Sequence, residues 1–178
     1  MDLLQIKTYN DPILRQKCER VENFDKNIRM LYKKMLKVML HANGIGLAAP
    51  QVGINKQIIV VDANSANGYR SSMNSFICLA NPKIIEKSDK QHKEFEGCLS
   101  LPNISARVKR PKQIRVEGWS LNKNKYISIT AEGLLARVIQ HEVDHLKGVL
   151  IIDYLPLWHK LKAIKKLNSI KSSTSKTQ

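Results

Sequence analysis

The sequence predicts an α+β fold in a single domain: mainly antiparallel strands packed around a central helix carrying HEVDH at 141–145, with helices towards the N- and C-terminal ends. Three observations predict it. Apolar residues recur at helical spacing in three separated stretches. Between them lie short runs rich in β-branched residues, divided by turn signals. The links between the later runs are too short for helical crossovers, so those strands pair antiparallel.

Taken in order, Asp25 can cap the first helix, where Ile28, Leu31, Met35, Val38 and Met39 form a stripe. Asn43-Gly44 is its stop. GIGLAAPQVG (44–53) reads as a glycine-containing loop, and QIIVVD (57–62) as a strand. A turn-rich loop is predicted over 63–75. FICLANPKII (76–85) reads as a strand interrupted near Asn81-Pro82. Further short strands are predicted at 104–110, 113–119 and 126–129. A second helix begins near 130–132 and runs through HEVDH to Lys147, with Gly148 as the residue that ends it. A third spans Leu157–Leu167. The lysine- and serine-rich stretch 168–178 is expected to be a disordered tail.

The chain has 178 residues, enough for one domain with a real core, and 43% of them are apolar. No apolar run approaches the roughly 20 residues that span a bilayer. The N-terminus, MDLLQIKTYNDPILRQ, lacks the regions of a signal peptide. A cytoplasmic protein that does not span a membrane is the expectation. Three cysteines, Cys18, Cys78 and Cys98, form no C-x-x-C pair, which argues against a disulfide framework. The formal net charge is +15, and six lysines with no acid lie between His159 and Gln178. Such charge favours polyanions, yet no motif for sequence-specific nucleic-acid binding is visible.

His141 and His145 stand one turn apart on a helix, so both imidazoles can reach one ion. Glu142 points in a neighbouring direction, which suits a base acting on water at that ion. This is the H-E-x-x-H pattern of metallohydrolases. A catalytic site needs a third protein ligand. The metzincin pattern would place a histidine at 151, where this chain has Ile151, and no glutamate follows Glu142. The third ligand therefore belongs upstream. Cys98, in EFEGCLSLP beside Gly97, is the foremost candidate, whereas the downstream His159 is a weak one that reads as solvated on the lysine-rich side of the last helix. A thiolate suits iron or zinc, whereas Cys18 and Cys78 read as core residues.

Three segments together resemble bacterial peptide deformylase: GIGLAAPQ (44–51), EGCLS (96–100) and QHEVDH (140–145). The resemblance runs from DPILRQ to IDYL at 152–155, so it implies a catalytic domain over 1–167. It implies a hydrolase that removes the formyl group from the N-terminal formylmethionine of new polypeptides. It implies one divalent metal held by Cys98, His141 and His145, usually Fe2+, with Zn2+, Ni2+ or Co2+ as substitutes. Residue types alone do not choose iron over zinc. Glu142 is implied as the base, with the Gln51 amide and the Leu99 backbone N–H as oxyanion donors. Gly44, Ile45, Gly46 and Gly97 are implied to meet the peptide backbone, and Ile45, Leu134 and Val138 to wall the methionine pocket. Asp144 reads as a support for the ligands. The basic C-terminal helix suits contact with the ribosome. Many relatives carry an arginine seven residues after the cysteine; here that residue is Ser105, with Arg107 two further on, which puts in doubt any contact of that arginine with Glu96 or the distal peptide. A general metallopeptidase and a metal-free basic binding protein are the competing readings. The missing downstream ligand argues against the first, and the complete ligand set against the second.

Overall fold

Asp25 opens the first helix: its Oδ1 accepts from the Ile28 N–H at 2.9 Å and caps α1 (Lys26–His41). The computed structural model describes residues 4–66, 68 and 75–174, and only the backbone of 170–174. Met35 and Met39 are fully buried on the α1 stripe, and the chain leaves the helix through Asn43 at φ 52°.

The segment expected as a loop after α1 contains a short strand, β1 (Gly46–Ala48), and a 3-10 turn at Ala49–Val52. β2 (Ile58–Asp62) follows and is buried throughout. A single helical turn, α2 (Ala63–Ala66), begins the stretch predicted as a loop; positions 67 and 69–74 lie outside the described residues. β3 (Phe76–Lys87) runs past Asn81-Pro82, where the expected interruption takes the form of a register shift between Ala80 and Lys83. Next come β4 (Gln91–Gly97), β5 (Ser105–Pro111), β6 (Gln113–Ser120) and β7 (Lys125–Glu132). α3 (Gly133–His145) carries HEVDH, and α4 (Leu157–Thr174) ends the described chain.

Five strands form one sheet in the order β1-β2-β3-β6-β7, and β4 and β5 form a separate ribbon. All named pairings are antiparallel, as the short links require. α1 and α3 pack on opposite faces of the large sheet. Ile59 and Val61 of β2 join the cluster of α3, with Ala136, Ile139 and Val143. Ile58 and Val60 join the cluster of α1, with Met35 and Met39. A strand covered on both faces needs apolar side chains on both, which is why IIVV (58–61) shows no alternation.

Two boundaries differ from the sequence expectation. β4 was not predicted: QHKEFEG is polar, and only Glu96 of its residues is buried, so no apolar period marks it. α4 continues past Leu167, and residues 168–174, expected to be disordered, extend its backbone; 175–178 lie outside the described residues. No glycine or proline stops the helix there. Gly148 does end α3: at φ +73° any Cβ would meet the Arg15 carbonyl oxygen at 2.5 Å. No helix among the described residues is long and apolar enough to cross a membrane.

Candidate active site

α3 brings His141 and His145 to one side, one turn apart, and their Nε2 atoms lie 3.2 Å from each other. Cys98, in the turn after β4, places its Sγ 3.3 Å from His145 Nε2. The three donor atoms lie within 4.8 Å of one another, the only such group of His, Cys, Asp and Glu found among the described residues. A tetrahedral ion with ordinary metal–sulfur and metal–nitrogen bonds sets its donors about 3.3–3.6 Å apart. The short edges therefore fit a metal. So does the donor chemistry, because two buried imidazole nitrogens pointed at each other and at a thiol have lone pairs that a cation would satisfy. Cys18 and Cys78 are core residues; burial, then for Cys18 the charge of Glu19, pushes their thiols up to about 11 and about 12. His159 is exposed on α4 and belongs to no donor cluster among the described residues.

Glu96 orients the first imidazole. Its Oε2 faces His141 Nδ1 at 3.1 Å, which fixes that nitrogen as the N–H and leaves Nε2 for the donor cluster. The carboxylate itself is gripped by two arginines. Arg110 Nε and Nη2 donate to Oε1 and Oε2 at 2.6 and 2.9 Å, and Arg137 Nη1 donates to Oε1 at 2.6 Å. Burial alone would raise Glu96, but the hydrogen bonds from His141 and Arg110 and their charges hold it down at about 2. Arg110 also donates to Asp144 Oδ2 at 2.7 Å, and the Tyr154 hydroxyl donates to the same oxygen at 2.7 Å. Asp144 thus supports the network from between the histidines. The contact with Glu96 that Ser105 put in doubt is made by Arg110 and Arg137 instead. Neither was singled out from the sequence. The alternation of β5 did carry a signal: Arg110 shares the buried face of Ala106 and Val108.

Glu142 is buried beside the cluster, and its Oε2 finds no hydrogen-bond partner among the described residues. Burial is the main force on it. The charges of His141 and Arg110 oppose it, those of Glu96 and Asp144 reinforce it, and the carboxyl rises to about 7. A carboxyl raised in this way can take or give a proton near neutrality. Gly46 makes room for it: a Cβ there would collide with Glu142 Oε1 and sit 2.7 Å from Val138 Cγ1. Gln51 is 1% exposed, not the surface glutamine its loop suggests. Its Oε1 accepts from the Ala48 N–H at 2.8 Å, which turns its Nε2 towards Cys98 Sγ (3.6 Å) and Ser100 Oγ (3.3 Å).

These groups open into a cleft of about 420 Å³. Gly44, Ile45 and Gly46 line one side, Gly97 and Leu99 another. Leu134 and Val138 of α3 also line it; Val138 is buried, whereas Leu134 keeps 47% of its surface exposed at the rim.

The family model for polypeptide deformylase matches residues 3–160. The chain belongs to the polypeptide deformylase family. As such it is a metal-dependent hydrolase that removes the formyl group from nascent peptides. It is 44% identical to the peptide deformylase of Natranaerobius thermophilus over 153 residues, covering 86% of this chain and 92% of that one. Among solved structures, the Ehrlichia chaffeensis peptide deformylase superposes with a TM-score of 0.87 at 35% identity, covering 97% of this chain and 99% of the other. A Legionella pneumophila peptide deformylase gives 0.89 at 32% identity, covering 99% and 100%. The cleft lies between the edges of β1 and β4.

Proposed function

We propose that the deformylase reaction of this chain runs in the cleft between β1 and α3. Cys98, His141 and His145 hold one divalent ion, Fe2+ natively, with Zn2+, Ni2+ or Co2+ able to replace it. The observation that carries this reading is the three-donor cluster with the buried Glu142 carboxylate beside it. When bound, such an ion supplies a Lewis acid that polarises the formyl oxygen and acidifies water.

The residues do the remainder. Glu142 takes a proton from the attacking water and returns it to the departing amine nitrogen, so formate and a free N-terminus leave. The Gln51 Nε2–H and the Leu99 backbone N–H donate to the oxygen of the tetrahedral carbon. Each such donor is worth roughly 3–4 kcal/mol of barrier. The Ala48–Gln51 hydrogen bond supports this role, because it fixes which end of the amide faces the site. Gly44, Ile45, Gly46 and Gly97 meet the extended peptide backbone. Ile45, Leu134 and Val138 receive the methionine side chain. The substrate is an N-formylmethionyl peptide, and a cytoplasmic location fits an enzyme that acts on new chains.

α4 contributes a second contact, with the ribosome. Leu157 and Trp158 are 70% and 76% exposed, and Lys162 and Lys165 are exposed on the same helix. An apolar and basic surface of this kind suits a ribonucleoprotein. Co-sedimentation with ribosomes that weakens with salt is the expected result, and a charge-reversed α4 that still sediments refutes it.

The deciding experiment is formate release from formyl-Met-Ala-Ser by anaerobically purified protein of known metal content, alongside Glu142→Ala. Release at about one metal per chain, abolished in the variant while metal stays bound, is expected. A folded, metal-replete protein that releases no formate overturns the reading.

A further inference from the structure

The β4–β5 ribbon has two unlike faces. One packs inward through Glu96, Ala106, Val108 and Arg110. The other is exposed along its length, with Lys93, Phe95 and Gly97 of β4 opposite Lys109, Arg107 and Ser105 of β5. Phe95 keeps 69% of its surface exposed, and the Arg107 guanidinium stands over its ring at 5.5 Å. Both acids of the two strands, Glu94 and Glu96, alternate to the opposite face, so this face is cationic with one aromatic plate at its centre. It adjoins the cleft: Phe95 and Gly97 line the mouth. Nothing lies within 4 Å of a Cβ built on Gly97, so the space above it is open. The far edge of β4 pairs with no other strand among the described residues.

A peptide lying extended along that edge turns successive side chains to opposite faces. With formylmethionine directed inward to Val138, the next side chain falls on the face of Phe95, Gly97 and Arg107. We propose that Phe95 and Arg107 form a specificity subsite that favours an acidic side chain at the residue after formylmethionine. This rests on the deformylase reading and adds a preference to it. Arg107 supplies the cation, and the Phe95 ring holds the guanidinium in place and covers the aliphatic part of the incoming side chain. Lys93 and Lys109 flank the pair on the same face.

The test compares kcat/KM for formyl-Met-Asp-Ala-amide with its uncharged isostere formyl-Met-Asn-Ala-amide, and for formyl-Met-Ala-Asp-amide with formyl-Met-Ala-Asn-amide. The amide ends keep the substrate's terminal carboxylate out of the comparison. The wild type should favour Asp over Asn at the second residue by about three- to five-fold, the size of a solvent-exposed charge contact. The third residue, turned to the other face, should show no preference. The preference should fade as salt rises to about 1 M. Arg107→Ala should bring the second-residue ratio to about one. Arg107→Glu should invert it in favour of a Lys-containing peptide. Equal rates for the Asp and Asn peptides in the wild type, or a ratio unchanged in Arg107→Ala, overturn the proposal. Formate release from the Asn peptide tests the parent reaction separately, because its absence in wild-type protein would count against the deformylase assignment and not against the subsite.

Discussion

Replacing Gly46 by alanine should disable the enzyme without touching a metal donor. The added Cβ would overlap Glu142 Oε1 and stand 2.7 Å from Val138 Cγ1, where ordinary contact begins at 3.4 Å. Val138 would have to retreat by the difference between those distances, about 0.7 Å, and Glu142 by at least as much. Both sit on α3, which is packed into the core, so neither can move far without strain. Overpacking of this kind costs about 1–3 kcal/mol of stability. The catalytic cost is larger, because a misplacement near 1 Å lowers a rate by roughly 100-fold, or about 3 kcal/mol of barrier. The assay is kcat/KM for formate release from formyl-Met-Ala-Ser, with metal content measured in the same preparation and unfolding followed by thermal melt. Gly44→Ala is the internal comparison. Its Cβ would meet the end of the Leu99 side chain at 2.8 Å, a group that can swing aside, so the loss should be much smaller. A Gly46→Ala enzyme with full metal and activity within about threefold of wild type would refute the reasoning that Gly46 exists to admit Glu142.

Glu96→Gln removes the carboxylate that holds His141 and answers two buried arginines, so Co2+ affinity in a chelator competition should fall about 10- to 100-fold, and stability by about 3–5 kcal/mol; unchanged Co2+ affinity would show that Glu96 does not orient the imidazole. After chelator treatment, iodoacetamide near pH 8 should label Cys98 ahead of Cys18, whose thiol at about 11 leaves roughly one thiolate in a thousand at that pH, and metal should protect Cys98; equal labelling with and without metal contradicts the ligand assignment. Asp153 is lowered in the folded state, because hydrogen bonds from Arg15, Lys160 and the Leu150 N–H outweigh its burial. A lowered carboxyl gives stability that is present above the unfolded value of 3.8 and lost as pH falls through the folded one. Asp153→Asn should therefore cost about 1 kcal/mol at pH 7 and progressively less in acid, and a deficit in denaturant unfolding that stays constant down to pH 3 would refute this account.

By itself the sequence determined the parts governed by local rules. α1 follows from a capping aspartate and a 3.6-residue stripe, and the end of α3 from the one residue type that tolerates the conformation of Gly148. The pairing of His141 and His145 on one side follows from a four-residue spacing on a helix. Antiparallel order follows from links too short for anything else. Tertiary structure decided what depends on burial and on partners distant in sequence. β4 is a strand because the ribbon lets a polar segment bury one carboxylate, and no local period announces that. Gln51 is buried and Leu134 exposed, although a loop glutamine and a helix leucine suggest the reverse, because the fold closes over β1 and leaves the rim of α3 open. The hold on Glu96 passed to Arg110 and Arg137, residues 14 and 41 positions away in the chain. Sequence spacing fixes which groups can share one face of an element. Only the packing of elements fixes which charges meet out of water, where an unpaired partner costs most.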